Sequence, residues 1–379
     1  MPNANNVYDV AITGGGLAGL TLAIQCADAG YSVILFEKEQ YPFHKVCGEY
    51  ISMESYQFLE RCGVDLQQYQ VPHINALQLT DVGGHIYSFT LPLGGFGISR
   101  YTLDNALYQI AINKGVEICT NTKVTDITYN NFFTLQTTAG IFTSKVAAGA
   151  FGKRSNLDVK WKRNFTTQKP DKLNNYVGVK YHIKYAFPSN TIALHNFKNG
   201  YCGISNIEND TCCLCYLTTA DNLKQHNNSI QQMEEQLLWQ NPALKTIFTN
   251  ATMLYNEPLA ISQISFAKKQ QVENHVLMIG DAAGSITPLC GNGMSMAMHA
   301  GKLAFEQINN YLKGAITLQH MENNYTANWQ QQFSRRLWIG RNVQRLFGNN
   351  TSTAIFLSAM HKMPWLASKI ISATHGNTY

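Results

Sequence analysis

The stretch from Val10 to Glu39 confines the fold more than any other part of the chain. It reads VAITGGGLAGLTLAIQCADAGYSVILFEKE. An apolar, β-branched run (Val7–Thr13) ends on glycine. A helical pattern follows over Leu17–Ala29, stopped by Gly30, and a second apolar run spans Ser32–Glu37. Strand, helix and strand in this order form a βαβ unit, so a parallel sheet is expected. Gly14-x-Gly16-x-x-Gly19 sits in the first turn of that unit, where a pyrophosphate cradle requires it. Gly14 permits the tight turn, Gly16 lets the backbone approach the phosphates, and Gly19 lets helix and strand pack closely. The helix start at Leu17 and Ala18 offers free N–H groups and a partial positive charge. Glu37 ends the second strand, 23 residues after Gly14. Its carboxylate suits both ribose hydroxyls of an adenosine and repels a 2′-phosphate; Lys38 lies beside it. NAD and FAD satisfy these features equally.

Further along, helices are expected over Ser52–Cys62 and Thr102–Lys114, with a hairpin over Ala76–Thr90 around Gly83-Gly84. From Val116 to Ala148 the segments GVEICTN, VTDITYN and IFTSKVAA read as an antiparallel meander. Tyr176–Tyr185 (YVGVKYHIKY) alternates as a strand with one wet face does. Ser229–Gln240 reads as helix, His275–Ile279 as a buried strand, Asn292–Tyr311 as a long helix, and Gln319–Tyr379 as interrupted helices. Asn174-Asn175, Asn227-Asn228 and Asn349-Asn350 read as loops.

The second strand–glycine–helix passage, HVLMIGDAAGSITPLCGNGMSMAMHAG (His275–Gly301), decides between the two nucleotides. It resembles the second FAD motif of flavoproteins related to p-hydroxybenzoate hydroxylase and geranylgeranyl reductase. The resemblance spans roughly Val7 to Gly301. It implies that Asp281 binds the ribityl chain or pyrophosphate. It also implies that Gly291, Gly293 and Met294 bring a helix N-terminus to the flavin, where the dipole favours the negative charge of the reduced ring. SRYTLDNAL similarly implies Arg100 at a helix start on the flavin side, and Val124 falls where the family contacts adenine through its backbone.

The loop YPFHKVCGEYIS (Tyr41–Ser52) resembles that of the geranylgeranyl reductase branch. Cys47 and Glu49 are the catalytic candidates there. In that branch the cysteine faces the isoalloxazine and is thought to assist protonation, chemistry open to a thiol of suitable pKa. The alternative is a small buried cysteine beside a glycine turn. Two departures stand out. Phe151 in GAFGKRSN replaces an aspartate that helps place NADPH in many hydroxylases. KYAFPSN keeps Phe187-Pro188 of the reductase branch without its tryptophan, while NGYCGISNIEND resembles the inner sheet of reductase-like members.

Other classes find little support. The net charge of +5 comes without the concentrated basic stripe of a nucleic-acid binder. No acyl-transfer Ser elbow occurs. Cys202, Cys212, Cys213 and Cys215 lack paired metal-ligand spacing, no metal is expected, and His299 reads as structural. The nine cysteines, with no export signal, read as free thiols of a reducing cytoplasm. No run reaches a membrane span of about 20 apolar residues. Arg335, Arg336, Arg341 and Arg345, with Trp338 and Trp365, permit peripheral docking on an anionic membrane; a solvated basic face is the plainer reading.

The expected fold is α/β: a Rossmann-like FAD-binding domain (residues 1–70, 97–155 and 273–315), an inserted antiparallel substrate domain (71–96 and 156–272) and C-terminal helices (316–379). The expected cofactor is FAD, with NADH or NADPH as electron donor. The expected substrate is a hydrophobic small molecule, held between the inserted sheet and the flavin. The resemblance favours a double-bond reductase or dehydrogenase, with an NAD(P)H-dependent flavin monooxygenase and a non-catalytic flavin-binding protein as alternatives.

Overall fold

The structure is a computed structural model, and it describes residues 6–167 and 175–379. Asn174 of the asparagine pairs lies outside these residues. In chain order the elements begin with β1 (Val7–Thr13), α1 (Leu17–Asp28), β2 (Val33–Phe36), β3 (Tyr50–Ser52), α2 (Tyr56–Arg61), β4 (His73–Thr80), β5 (Ile86–Gly97) and α3 (Arg100–Asn113). Then come β6 (Glu117–Cys119), β7 (Val124–Asn130), β8 (Phe132–Thr137), β9 (Gly140–Gly149), α4 (Asn156–Lys160), β10 (Tyr176–Lys184), β11 (Thr191–Phe197), β12 (Gly200–Ile207) and β13 (Thr211–Thr219). After α5 (Ala220–Gln225), α6 (Ile230–Gln236) and α7 (Pro242–Asn250) follow β14 (Thr252–Met253), β15 (Leu259–Ile264), β16 (Val272–Glu273) and β17 (Val276–Met278). Four helices close the described chain: α8 (Gly293–Leu312), α9 (Leu318–Gln344), α10 (Asn350–Lys362) and α11 (Pro364–Thr374).

The strands form two sheets. The first runs β16-β17-β9-β1-β2-β6, with β7 and β8 attached to β9. β1 lies between β2 and β9, parallel to both, and Val10, Ala11 and Ile12 are fully buried. Burial on both faces explains the apolar run Val10–Ile12 in β1. The expected meander needs correcting at both ends. β6 pairs parallel with β2 at the sheet edge. β9 pairs antiparallel with β8 through Gly140–Ser144, and its later residues run parallel to β1 and β17. A ten-residue strand is long enough to serve both partners.

The second sheet runs β14-β10-β13-β12-β11-β4-β5-β3, with β15 on β10. It is antiparallel except where β4 lies parallel to β11, because the β4–β5 hairpin arrives from an earlier part of the chain. The expected helix over Ser52–Cys62 is shorter: Tyr50–Ser52 is a strand on β5, and the α-helix begins at Tyr56. Ser229–Gln240 likewise divides into α6 and a 3-10 turn, Leu238–Gln240.

The expected wet face of β10 is also corrected. Val177, Val179, Tyr181 and Ile183 enter one core, with Leu214 and Tyr216 of β13. The alternate residues Lys180 and His182 are buried too. Their register partners Cys215 and Cys213 share that second face. This face packs on the first sheet's loops instead of water.

Candidate functional site

The glycine loop shows three different constraints. Gly14 has φ +107°, and a Cβ there would lie 2.4 Å from the Ala150 carbonyl oxygen. A Cβ on Gly19 would lie 2.0 Å from the Gly14 oxygen, so α1 sits directly on the turn. Gly16 is open: a Cβ there would meet only Arg100 Nη2 at 3.5 Å and Lys45 Nζ at 3.7 Å. Gly16 also caps α1 with extended backbone and no side-chain acceptor. The first turn of α1 and two cations therefore face one concavity, which suits a diphosphate. Leu17 and Ala18 are buried in this turn.

The cations are held in place. Arg100 makes two 2.7 Å bonds to Asp104, and Lys45 lies 3.1 Å from the same carboxylate. Burial pushes the Asp104 carboxyl up, but Arg100 and Lys45 more than offset this and leave it below its ordinary range. Arg100 is mostly buried rather than an exposed helix-start residue. Neither Lys45 nor Gly15 was among the sequence candidates. A Cβ on Gly15 would lie 1.8 Å from Tyr41 Oη, whose hydroxyl donates to the Gly15 carbonyl.

Glu37 is buried, and its carboxylate accepts from Gly15 N at 2.8 Å and Glu39 N at 3.1 Å. Lys38 is exposed and pairs with Glu39. Val124 is buried, and its carbonyl accepts from Asn156 Nδ2 at 3.2 Å.

The two motifs meet although they are some 260 residues apart in sequence. A Cβ on Gly280 would lie 3.0 Å from Ala18 Cβ, and one on Gly301 would lie 2.9 Å from the Ala18 carbonyl. α1 and α8 thus cross at small residues. Asp281 is half-buried and edges a narrow cleft with Gly293 and Met296. Its backbone carbonyl accepts from Lys269 Nζ, whose pKa burial lowers to about 8. Gly291 has φ +64°. Gly293 and Met294 form the first turn of α8, whose cap Asn292 makes no side-chain bond to it; its amide donates to Thr374 O, and its Oδ1 is buried without a partner.

The Cys47–Glu49 turn lies between this cradle and the second sheet. Cys47 is half-buried, and the Cys213 thiol donates to its carbonyl at 3.3 Å. Glu49 is fully buried with φ +56° and does not present a free carboxylate. Its Oε1 accepts from Lys180 Nζ at 2.5 Å and from Arg100 N at 2.8 Å. Its Oε2 contacts His182 Nε2 at 2.6 Å. Burial raises the Glu49 carboxyl, but Lys180 and His182 outweigh it and the net shift is downward. From His182 Nδ1 the network continues to Tyr255 Oη at 2.7 Å and then to His44 Nε2 at 3.0 Å. Lys180, His182, Tyr255 and His44 all escaped sequence reading. The available signal was the pair of polar residues at alternate positions in YVGVKYHIKY.

Glu49, His182 and Cys213 offer ligand atoms within 4.8 Å of one another. Lys180 holds a positive charge against the same carboxylate, and His182 occupies its other oxygen. Glu49 is therefore satisfied by Lys180 and His182, and Cys213 by its bond to the Cys47 carbonyl, rather than arranged around a cation. Of the other discounted residues, Cys202 and Cys212 are buried in the second core, and His299 stacks on Tyr379 at 4.0 Å.

Phe151, where an aspartate was expected in hydroxylases, packs against Gly149 and edges Trp161. A cavity of about 220 Å³ lies between Leu91–Gly94 of β5 and the end of α11, with Ile371, Ser372 and His375 in its wall. The bond from Asn292 to Thr374 ties this wall to the start of α8.

Comparison with known proteins places the site in context. Residues 7–322 match the family described as FAD binding domain, and the chain belongs to that family. The conditioned medium factor receptor 1 of Dictyostelium discoideum is 23% identical over 336 residues, covering 79% of this chain and 62% of the receptor, under two thirds of its length. The flavin-dependent brominase Bmp2 superposes with a TM-score of 0.79 at 20% identity, covering 97% of this chain and 93% of the brominase. A flavoprotein/dehydrogenase from Cytophaga hutchinsonii superposes with a TM-score of 0.77 at 17% identity, covering 96% and 92%. These structures share the fold expected from the sequence: a Rossmann-like α/β domain with a second sheet and C-terminal helices.

Proposed function

We propose that this member of the FAD binding domain family is an FAD-dependent oxidoreductase acting on an apolar small molecule. One observation carries the reading. The open Gly16 turn at the start of α1 has the cations Lys45 and Arg100 beside it, and α8, whose start has no side-chain cap, packs on that same α1 where Gly280 and Gly301 meet Ala18. Gly14, Gly16, Leu17, Ala18, Gly19 and Arg100 would hold the diphosphate. Glu37, Lys38 and Val124 would hold the adenosine side, and Asp281, Gly291, Gly293 and Met294 the ribityl and ring side. Bound there, FAD supplies the electron or hydride transfer.

The chain's own residues control position and protons. Asp104 fixes the two cations. Glu49 ties the Cys47 turn to the start of α3 and to β10, so Cys47 is held at the boundary between the cradle and the second sheet. This supports a double-bond reductase in which the Cys47 thiol gives a proton to the substrate carbon opposite the hydride, or a dehydrogenase, the reverse reaction, in which the Cys47 thiolate takes that proton. A monooxygenase is the second reading, supported by the fold shared with the brominase. NADH or NADPH is proposed as the electron donor; with an apolar Phe151, the chain lacks the carboxylate that helps place it in many hydroxylases.

The test is to reduce the FAD-loaded protein without oxygen, mix it with aerated buffer and follow the flavin bands. A single featureless reoxidation, with double-bond reduction lost in Cys47→Ala, is expected of the first reading. A distinct spectral transient before reoxidation supports the monooxygenase. Failure to take up FAD on reconstitution overturns both.

A further inference from the structure

Residues 323–379 contain no Asp or Glu, yet carry Arg335, Arg336, Arg341, Arg345, Lys362 and Lys369. These six charges exceed the net +5 of the whole chain, so the rest of the protein is close to neutral. Only Arg336 is paired among the described residues: it turns inward to Glu54. The other five have no carboxylate partner there.

The same segment exposes large apolar side chains at matching positions. On α9 and its C-cap, Arg335, Trp338, Asn342 and Arg345 fall at i, i+3, i+7 and i+10, one face of the helix. Trp338 is 63% exposed, and both flanking arginines are exposed. The opposite face buries Trp329, Phe333, Leu337 and Gly340. α10 repeats the arrangement with Ile355, 65% exposed, and Lys362 seven residues on. α11 does so with Trp365, 64% exposed, and Lys369 four residues on. Met363 is exposed between them.

We infer that the outer faces of α9, α10 and α11 dock this protein on an anionic lipid bilayer. Arg and Lys would meet lipid phosphates, and Trp338, Ile355, Met363 and Trp365 would enter the boundary between headgroups and acyl chains. Charge complementarity selects the bilayer. No acidic residue in the segment repels an anionic surface, and the exposed apolar tips, which water opposes, gain from leaving it. The contact is peripheral: among the described residues no helix is long and apolar enough to cross a membrane.

The test is co-sedimentation of the full chain with phosphatidylcholine vesicles, with and without phosphatidylglycerol, at low and high salt. Binding is expected only with phosphatidylglycerol, weakening as salt screens it. Trp338→Ser with Trp365→Ser, and separately Arg335→Glu with Arg345→Glu, are each expected to cut the bound fraction roughly tenfold. All these side chains are exposed and none of them abuts the glycines of the phosphate turn, so bound flavin and thermal midpoint should be unchanged. Absence of sedimentation at low salt overturns the inference, as does equal sedimentation of the variants. Binding to soluble polyglutamate but not to vesicles assigns the face to an acidic protein instead. Dimers that the tryptophan variants dissociate, without vesicle binding, assign it to a second copy of the chain.

Discussion

At the residue scale, glycines of one motif do different work, and substitution separates them. Alanine at Gly16 meets only the ends of two flexible cationic side chains. Gly16→Ala is therefore expected to fold with a nearly unchanged thermal midpoint while losing flavin, because the added methyl occupies phosphate space. Gly19→Ala drives a methyl into the Gly14 carbonyl and is expected to destabilise the fold itself, by roughly 1–3 kcal/mol. Thermal unfolding and bound-flavin absorbance check both. These roles were readable from spacing alone. The Tyr41 contact that makes Gly15 equally restricted was not, because it depends on where a loop 26 residues away returns. Glu49 shows the same limit. Cys-Gly-Glu suggested a chemical group, whereas the fold makes Glu49 an anchor. Glu49→Gln leaves Lys180 buried without its counter-charge, and a loss of about 3–5 kcal/mol is expected by denaturant unfolding. Lys180→Met, which retains bulk without introducing a charge, leaves the mirror problem at Glu49, so the double variant should recover part of the loss.

At the element scale, the βαβ unit and the α8 motif were legible because each is local: strand, turn and helix are consecutive in sequence. Their meeting was not, since Gly280 and Gly301 approach Ala18 only through the tertiary crossing of α1 and α8. Gly301→Val, with a Cβ 2.9 Å from the Ala18 carbonyl and 3.0 Å from Thr21 Oγ1, is expected to push the helices apart. It should lower both the thermal midpoint and FAD affinity, whereas loss of stability with full FAD affinity would show that the crossing does not shape the cradle. β10 shows why alternation misleads. Its polar residues at every second position look like a solvated face, yet another layer covers them. Sequence pattern identifies which residues share a face, but not what that face meets. β6 was misplaced for a related reason: a three-residue edge strand has no pattern that separates parallel from antiparallel pairing.

At the scale of the whole molecule, buried histidines set an acid limit on stability. Burial lowers His299 to about 3 and His195 to about 4. Both folded values lie below the ordinary 6.5, so the unfolded chain binds protons that the folded chain refuses. Stability should hold above about pH 6.5 and fall as pH drops toward 4, by about 1.4 kcal/mol per pH unit for each group. Glu49 adds to the loss below its ordinary value of 4.5, where the unfolded chain takes up a proton that the folded carboxylate, held low by Lys180 and His182, refuses. Denaturant midpoints measured across this range should show the decline, and His299→Gln should flatten it. An unchanged slope would assign the acid limit to other groups.

The proposed function makes one physical claim before all others: FAD occupies the concavity between the Gly14–Gly19 turn and the start of α8. The direct measurement is an equilibrium titration of the flavin-free protein with FAD, run beside Gly16→Val. The wild-type chain should bind stoichiometrically and show the red-shifted, structured flavin band of a buried ring, while the folded variant should not bind. Equal binding by the two proteins would contradict the assignment of this site, and binding by neither would contradict the proposed function itself.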